Sequence, residues 1–236
     1  MTSNDKQPIV VIACRIFQVL LEQYLPGMMA EQVTYLDYGL HRTPPKIAVA
    51  VQAEIDKLEQ PSLVIVGYGL CGNGIVGIKA GMHTLLVPRM DDCIAMMIGS
   101  YDAYTKEFEN SPGTFYLNRG WLESGSHPLH EYEEYLERYD EETADWLLEQ
   151  QYQHYKRIAL VAHNPHDLQA YREQAQAVAK FCERWNVRYD EILGSDDFAR
   201  RLAEAAQDLT KVDGDLVVIP PGGEIRQAQF LRSLDG

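Results

Sequence analysis

Leu63-Val-Ile-Val-Gly-Tyr-Gly-Leu-Cys-Gly-Asn-Gly74 is the stretch on which the fold turns. Its first five residues are apolar without alternation. That is the pattern of a strand buried on both faces, and such strands belong to parallel sheets covered by helices. Working outward, similar β-rich runs stand at Ile9–Ala13, Val33–Asp37, Thr84–Val87, Ile158–Ala162, Arg188–Leu193 and Leu216–Ile219. Helical stretches fall between them at Ile16–Tyr24, Ala48–Leu58, Cys93–Phe108, Leu129–Tyr155, Asp167–Trp185 and Asp197–Ala206. Strand alternating with helix predicts an α/β fold.

The order strand, helix, strand, helix, strand occurs twice, from Ile9 to Gly67 and from Ile158 to Ile219. We therefore expect two Rossmann-like βαβ lobes, the alternative being one doubly wound, mostly parallel sheet. The expected division is 1–125 for an N-terminal lobe, 126–156 for a long acidic linking helix, and 157–236 for a C-terminal lobe. The linking helix is amphipathic. Tyr132, Tyr135, Leu136, Tyr139, Thr143, Trp146, Leu147 and Gln150 recur at spacings of three and four, opposite a carboxylate face.

The 236 residues carry a formal charge of −14, of which the segment Glu131–Glu149 alone contributes −8. An acidic chain is poorly suited to nucleic acid, whose phosphates call for clustered Lys and Arg, or to an anionic membrane surface. No apolar run is long enough for a membrane span. The polar start Met1–Pro8 lacks the basic and apolar regions of a signal peptide, so the cytoplasm is the expected location. The acidic helix is expected to serve solubility, or to dock a protein partner or a second copy of the chain.

Three of the four cysteines follow predicted strands. Cys14 follows Ile9–Ala13, Cys71 lies in the loop after Leu63–Gly67, and Cys93 follows Thr84–Val87 and a short turn. In a parallel sheet those ends share one edge, the place where α/β proteins bind ligands. Thiolates favour zinc or an iron–sulfur cluster, and three protein ligands leave a fourth position open for substrate. Asp37, His41, Asp91, Asp92 and His163 lie on similar strand ends as a fourth ligand or as acid–base groups. Asp91 or Asp92 is expected to cap a helix starting near Cys93. Cys182 continues a helical apolar stripe and is read as core. Gly67, Gly69 and Gly72 also match the dinucleotide spacing, with Asn73 and Gly74 completing the loop and Asp91 about twenty residues on. Against that, only the short Ile75–Met82 is available as the helix the motif requires. Pro220-Pro-Gly-Gly223 is read as turn chemistry, with an anion site on its backbone N–H groups as the alternative.

The blocks LDYGLH (Leu36–His41), GYGLCGNG (Gly67–Gly74), PRMDDCIAMMIGS (Pro88–Ser100) and PGTFYLNRGW (Pro112–Trp121) follow one another in an order that resembles the DUF1638 family of bacterial and archaeal proteins. The resemblance covers nearly the whole chain. In the family's pattern a His stands immediately before Asp-Cys, and Asp91 holds that place here. The resemblance implies that the three-cysteine set is a family feature, and it implies a setting in corrinoid-dependent methyl transfer. The expectation is a metal-binding protein with Cys14, Cys71 and Cys93 as ligands at an interlobe crevice. It would act on a small thiol or methyl-group substrate as a transferase or lyase. The alternatives are a non-catalytic accessory protein of a methyltransferase system and a nucleotide-dependent enzyme using Gly67–Gly74.

Overall fold

The computed structural model describes residues 7–232. Its elements run β1 (Ile9–Cys14), α1 (Gln18–Glu22), α2 (Leu25–Met28), β2 (Ala30–Leu36), α3 (Pro45–Ile55), β3 (Leu63–Gly67), β4 (Thr84–Pro88), α4 (Cys93–Ile98), α5 (Tyr101–Asn110), β5 (Thr114–Leu117), α6 (Arg119–Glu123), α7 (Pro128–Leu136), α8 (Glu141–Tyr152), β6 (Arg157–Ala162), α9 (Pro165–Cys182), β7 (Arg188–Leu193), α10 (Asp197–Gln207) and β8 (Leu216–Ile219). The protein is α/β, as expected. The chain forms two compact units. One comprises the residues up to Met96 together with those from Asp196 onward, and the other is the continuous segment Met97–Ser195.

The first unit is built on a five-stranded sheet of order β2-β1-β3-β4-β8. β2, β1, β3 and β4 are parallel, and β8 lies antiparallel to β4. Every residue of β1 and β3 is buried, which accounts for their unbroken apolar character. In register, Val10 pairs with Val64 and Ala13 with Gly67, so the ends of β1 and β3 that carry the chain into Cys14 and Tyr68 lie side by side.

The second unit has the parallel sheet β5-β6-β7. Its core includes Phe115, Leu117, Leu148, Ile158, Leu160 and Val178. β5 lies in the Pro112–Trp121 block. Gly113, at φ 75°, turns the chain, and Thr114-Phe-Tyr-Leu117, three of them β-branched or aromatic, are all buried.

Three expectations are corrected here. First, β8 pairs with β4 and β5 pairs with β6, so the second βαβαβ half is not formed. The division therefore differs from 1–125, 126–156 and 157–236. Second, Leu129–Tyr155 is two helices, α7 and α8, both inside the second unit. The side chain of Asp140 accepts the Thr143 N–H at 2.8 Å and starts α8 afresh. The break resets the helical phase. Ala144, Leu148 and Tyr152 are the buried positions of α8, while Trp146 is 58% exposed. Third, Cys93–Phe108 is divided at Gly99, whose φ of 115° ends α4, and Ser100 caps α5 through the Ala103 N–H at 3.1 Å. Among the described residues no helix is long and apolar enough to cross a membrane.

Candidate thiol site

Cys14 closes β1, the Gly67–Gly74 loop leaves β3, and Asp92 and Cys93 follow β4. Because β1, β3 and β4 are adjacent and parallel, these segments emerge at one edge of the first unit's sheet. Glycine permits their close approach at two positions. A Cβ on Gly67 would stand 2.5 Å from the Cβ of Ala13, and one on Gly69 would stand 3.0 Å from the Asp92 backbone.

The loop lies on the Pro88–Asp92 turn through Leu70 N–H to the Met90 carbonyl at 2.7 Å and Cys71 N–H to the Asp91 carbonyl at 2.8 Å. Cys71, Gly72 and Asn73 follow in left-handed conformation, at φ 49°, 65° and 66°. Gly74 N–H then donates to the Cys71 carbonyl at 3.2 Å. The N–H groups of Leu70, Cys71 and Gly74 are thus engaged with backbone carbonyls rather than turned toward a phosphate. No helix follows, since 75–82 forms turns around a single antiparallel bridge of Lys79 with Glu224. Gly77 N–H donates to the Ile225 carbonyl and Ala80 N–H to that of Gly223. The strand–loop–helix unit that a dinucleotide fingerprint requires is absent here. Gly67, Gly69, Gly72, Asn73 and Gly74 shape the loop around Cys71 instead. The Pro220–Gly223 turn is engaged likewise, with Gly222 N–H donating to the Gly81 carbonyl at 2.7 Å and Gly223 N–H to that of Pro220 at 2.9 Å.

Cys93 is the first residue of α4 and is buried. Of the two candidate caps Asp92 takes the role, accepting from Ile94 N–H at 2.8 Å and Ala95 N–H at 3.3 Å. Asp91 is exposed. The backbone N–H groups of Gly69 and Cys93 point at the Cys71 sulfur, which links the Cys71 and Cys93 segments directly. Cys14 is buried beside Tyr68, with the Ile16 N–H directed at its sulfur. Burial pushes the Cys14 thiol up to about 11, with the Asp37 charge adding to the shift. Burial also pushes Cys71 well above the ordinary thiol range, with the Asp92 charge adding to the shift. Both are neutral thiols near pH 7.

Of the remaining candidates, Asp37 lies near Cys14, directly after Leu36, which pairs with Cys14 in the β1–β2 register. Asp37 accepts the Gly39 N–H at 2.7 Å and lies 3.6 Å from Arg15, capping the short turn that carries His41. Burial lowers the pKa of His41. His163 belongs to the other unit, where its Nε2 lies 3.0 Å from the Asn164 amide. Cys182 is buried in the second unit's core and is held up at about 12 by burial. Among the described residues, no three of His, Cys, Asp and Glu stand around a common point at metal-binding range.

Tyr68 is a component that sequence reasoning passed over. It is 3% exposed, and its hydroxyl has no hydrogen-bond partner among the described residues. The hydroxyl is directed at the Cys14 thiol without reaching hydrogen-bond geometry. The available signal was its place at the head of the glycine loop, immediately after Gly67.

A family model described as "Protein of unknown function (DUF1638)" matches residues 35–202. The matched span includes Tyr68, Cys71 and Cys93, while Cys14 precedes it. No curated protein and no solved structure matches the chain.

Proposed function

The chain belongs to the DUF1638 family, and from that premise we propose that its first unit binds zinc or an iron–sulfur cluster through Cys14, Cys71 and Cys93. The observation that carries the reading is the position of these thiols. They follow β1, β3 and β4, three neighbouring parallel strands, at the edge where α/β sheets take ligands. Soft thiolate donors select such metals.

The three side chains do not surround one point as they stand, so binding turns them into new rotamers. The backbone beneath them is already fixed, by Leu70 and Cys71 bonded to the Pro88–Asp92 turn and by Asp92 capping α4. Neutral thiols must lose their protons to become ligands, so loading releases protons and strengthens as pH rises. Asp37 and Asp92 add negative charge beside the thiols and favour a cation there. Three protein ligands leave an open position at which a metal polarises a small substrate as a Lewis acid.

The test is elemental analysis of protein purified without oxygen and reconstituted with zinc or with iron and sulfide. For zinc, about one equivalent per chain is expected, with Cys71→Ser and Cys14→Ser each lowering retention about tenfold or more. Cys182→Ser, changed in the other unit, leaves loading intact. Wild-type protein that retains less than about a tenth of an equivalent of either metal after reconstitution overturns the reading.

A further inference from the structure

Helix α3 turns an apolar face to solvent. Ile47, Val51 and Ile55 are its buried positions. On the opposite side Val49 is 71% exposed, and Ala53, one turn on, is exposed as well. A groove of about 730 Å³ runs beside this face, with Val49 and Ala53 on one wall and Gly77, Ile78 and Gly81 on the other. The two walls are bonded to each other. Gln52 accepts the Lys79 N–H at 2.8 Å and donates to the Lys79 carbonyl at 3.3 Å. The far wall is also held from behind, by Gly77 N–H on the Ile225 carbonyl and Ala80 N–H on that of Gly223. A Cβ on Gly77 would meet nothing within 4 Å, so the groove stays open there. An open apolar groove with a large apolar side chain on its rim is a contact surface without its contact.

We infer that α3 pairs with α3 of a second copy of this chain, antiparallel about a two-fold axis at the level of Val51. Charge selects both the occupant and its direction. Lys46 stands in the first turn of the exposed face and Asp56 at its end. Among the described residues the Lys46 ammonium meets no carboxylate, and Asp56 has only the neutral Gln52 amide, at 2.8 Å. An antiparallel copy sets each Lys46 at the height of the partner's Asp56, so one two-fold axis makes two ion pairs. A parallel copy would set like charges together. The same register places Val49 level with the partner's Ala53, a large side chain beside a small one, twice over. The small side chain lets the helices approach to about 8–10 Å and lets Val49 enter the groove across the axis. One helix face with its groove is a small interface, so a reversible dimer in the micromolar range is expected. The inference owes nothing to the thiols and stands apart from the metal reading.

Sedimentation equilibrium of the full chain between about 1 and 200 μM, metal-free, reads the association directly. The wild-type mass is expected to rise from monomer toward dimer across that range. Val49→Asp buries a charge in the groove and is expected to weaken dimerisation about a hundredfold. Its far-UV circular dichroism should match the wild type, because Val49 packs against nothing within its own chain that its exposure leaves it to lose. Lys46→Glu and Asp56→Lys each set like charges level with one another and are expected to weaken the dimer about tenfold. Combining the two restores opposite charges in both pairs, and the double variant is expected to recover affinity to within about threefold of wild type. A wild-type chain that stays monomeric at about 200 μM overturns the inference. So does a dimer that Val49→Asp leaves intact, which would use another surface. A double variant no tighter than its single parents overturns the antiparallel register, and the inference with it.

Discussion

Cys71 occupies a backbone conformation that its side chain resists. At φ 49° its Cβ crowds the following carbonyl, a strain of about 1–2 kcal/mol for an L residue other than glycine. Strain of this kind persists where surrounding bonds over-determine it, and here Cys71 N–H and Gly74 N–H pin both sides of the residue. The strain gives a direct comparison. Cys71→Ser and Cys71→Gly both remove the thiol, and only the second releases the backbone. Metal-free Cys71→Gly should be more stable than Cys71→Ser by about 1 kcal/mol in urea, read by far-UV circular dichroism. A Cys71→Gly protein less stable than the serine variant refutes the strain. At this scale the sequence was informative about the thiols, because a cysteine just past an apolar run is visible as such. It was silent about Tyr68 and about the left-handed Cys71. An orphaned hydroxyl and a positive φ arise only when the loop packs on the Pro88–Asp92 turn.

The elements with unbroken apolar character were legible. Leu63–Gly67 is a strand with the expected bounds because burial of every residue leaves an unambiguous pattern, and Arg188–Leu193 and Leu216–Ile219 share their expected bounds although β7 is polar and only partly buried and β8 is buried only at its ends. Helix breaks were less legible, because good helix formers run through Glu131–Glu149 and only local capping divides them. The start of α7 shows how such a cap behaves with pH. Nδ1 of His127 accepts the His130 N–H at 3.2 Å, which requires an unprotonated ring nitrogen. Burial lowers the pKa of His127 to about 4, aided by the nearby His130 and opposed by Glu133. Between about 4 and the ordinary value of 6.5 the unfolded chain therefore binds more protons here than the folded one. The contribution of His127 is present above pH 6.5 and is lost as pH falls through that window. Wild-type stability should drop between pH 7 and pH 4.5, by about 1–2 kcal/mol from this residue after allowance for its partial exposure. His127→Ser keeps a capping acceptor that does not titrate, so its urea midpoint should fall less over the same range. Equal falls in the two proteins would remove His127 as the cause.

At the scale of the molecule, the pairing of β8 was the feature local pattern could not supply. Leu216–Ile219 reads the same whether it closes a second lobe or returns antiparallel to β4, because both leave it half or fully buried. The consequence is a continuous second unit, Met97–Ser195, set within a discontinuous first one. The ends of the second unit meet. Ser195 N–H donates to the Met97 carbonyl at 3.0 Å, and Gly194 packs so closely that a Cβ there would stand 2.0 Å from the same oxygen. A segment with joined ends, its own sheet and its own core has the anatomy of an inserted domain. All three tryptophans, Trp121, Trp146 and Trp185, lie within it. Tryptophan fluorescence of the whole protein therefore reports the second unit. Expressed alone, residues 97–195 should unfold in urea in one cooperative transition, with a fluorescence change like that of the full chain. Trp121 and Trp185 supply the change, being packed against the core, and exposed Trp146 contributes little. Gly194→Ala should lower the midpoint of fragment and full chain alike, because the clash with the Met97 carbonyl is internal to the unit. A fragment with solvent-exposed fluorescence and no transition would show that the second unit depends on the first for its fold.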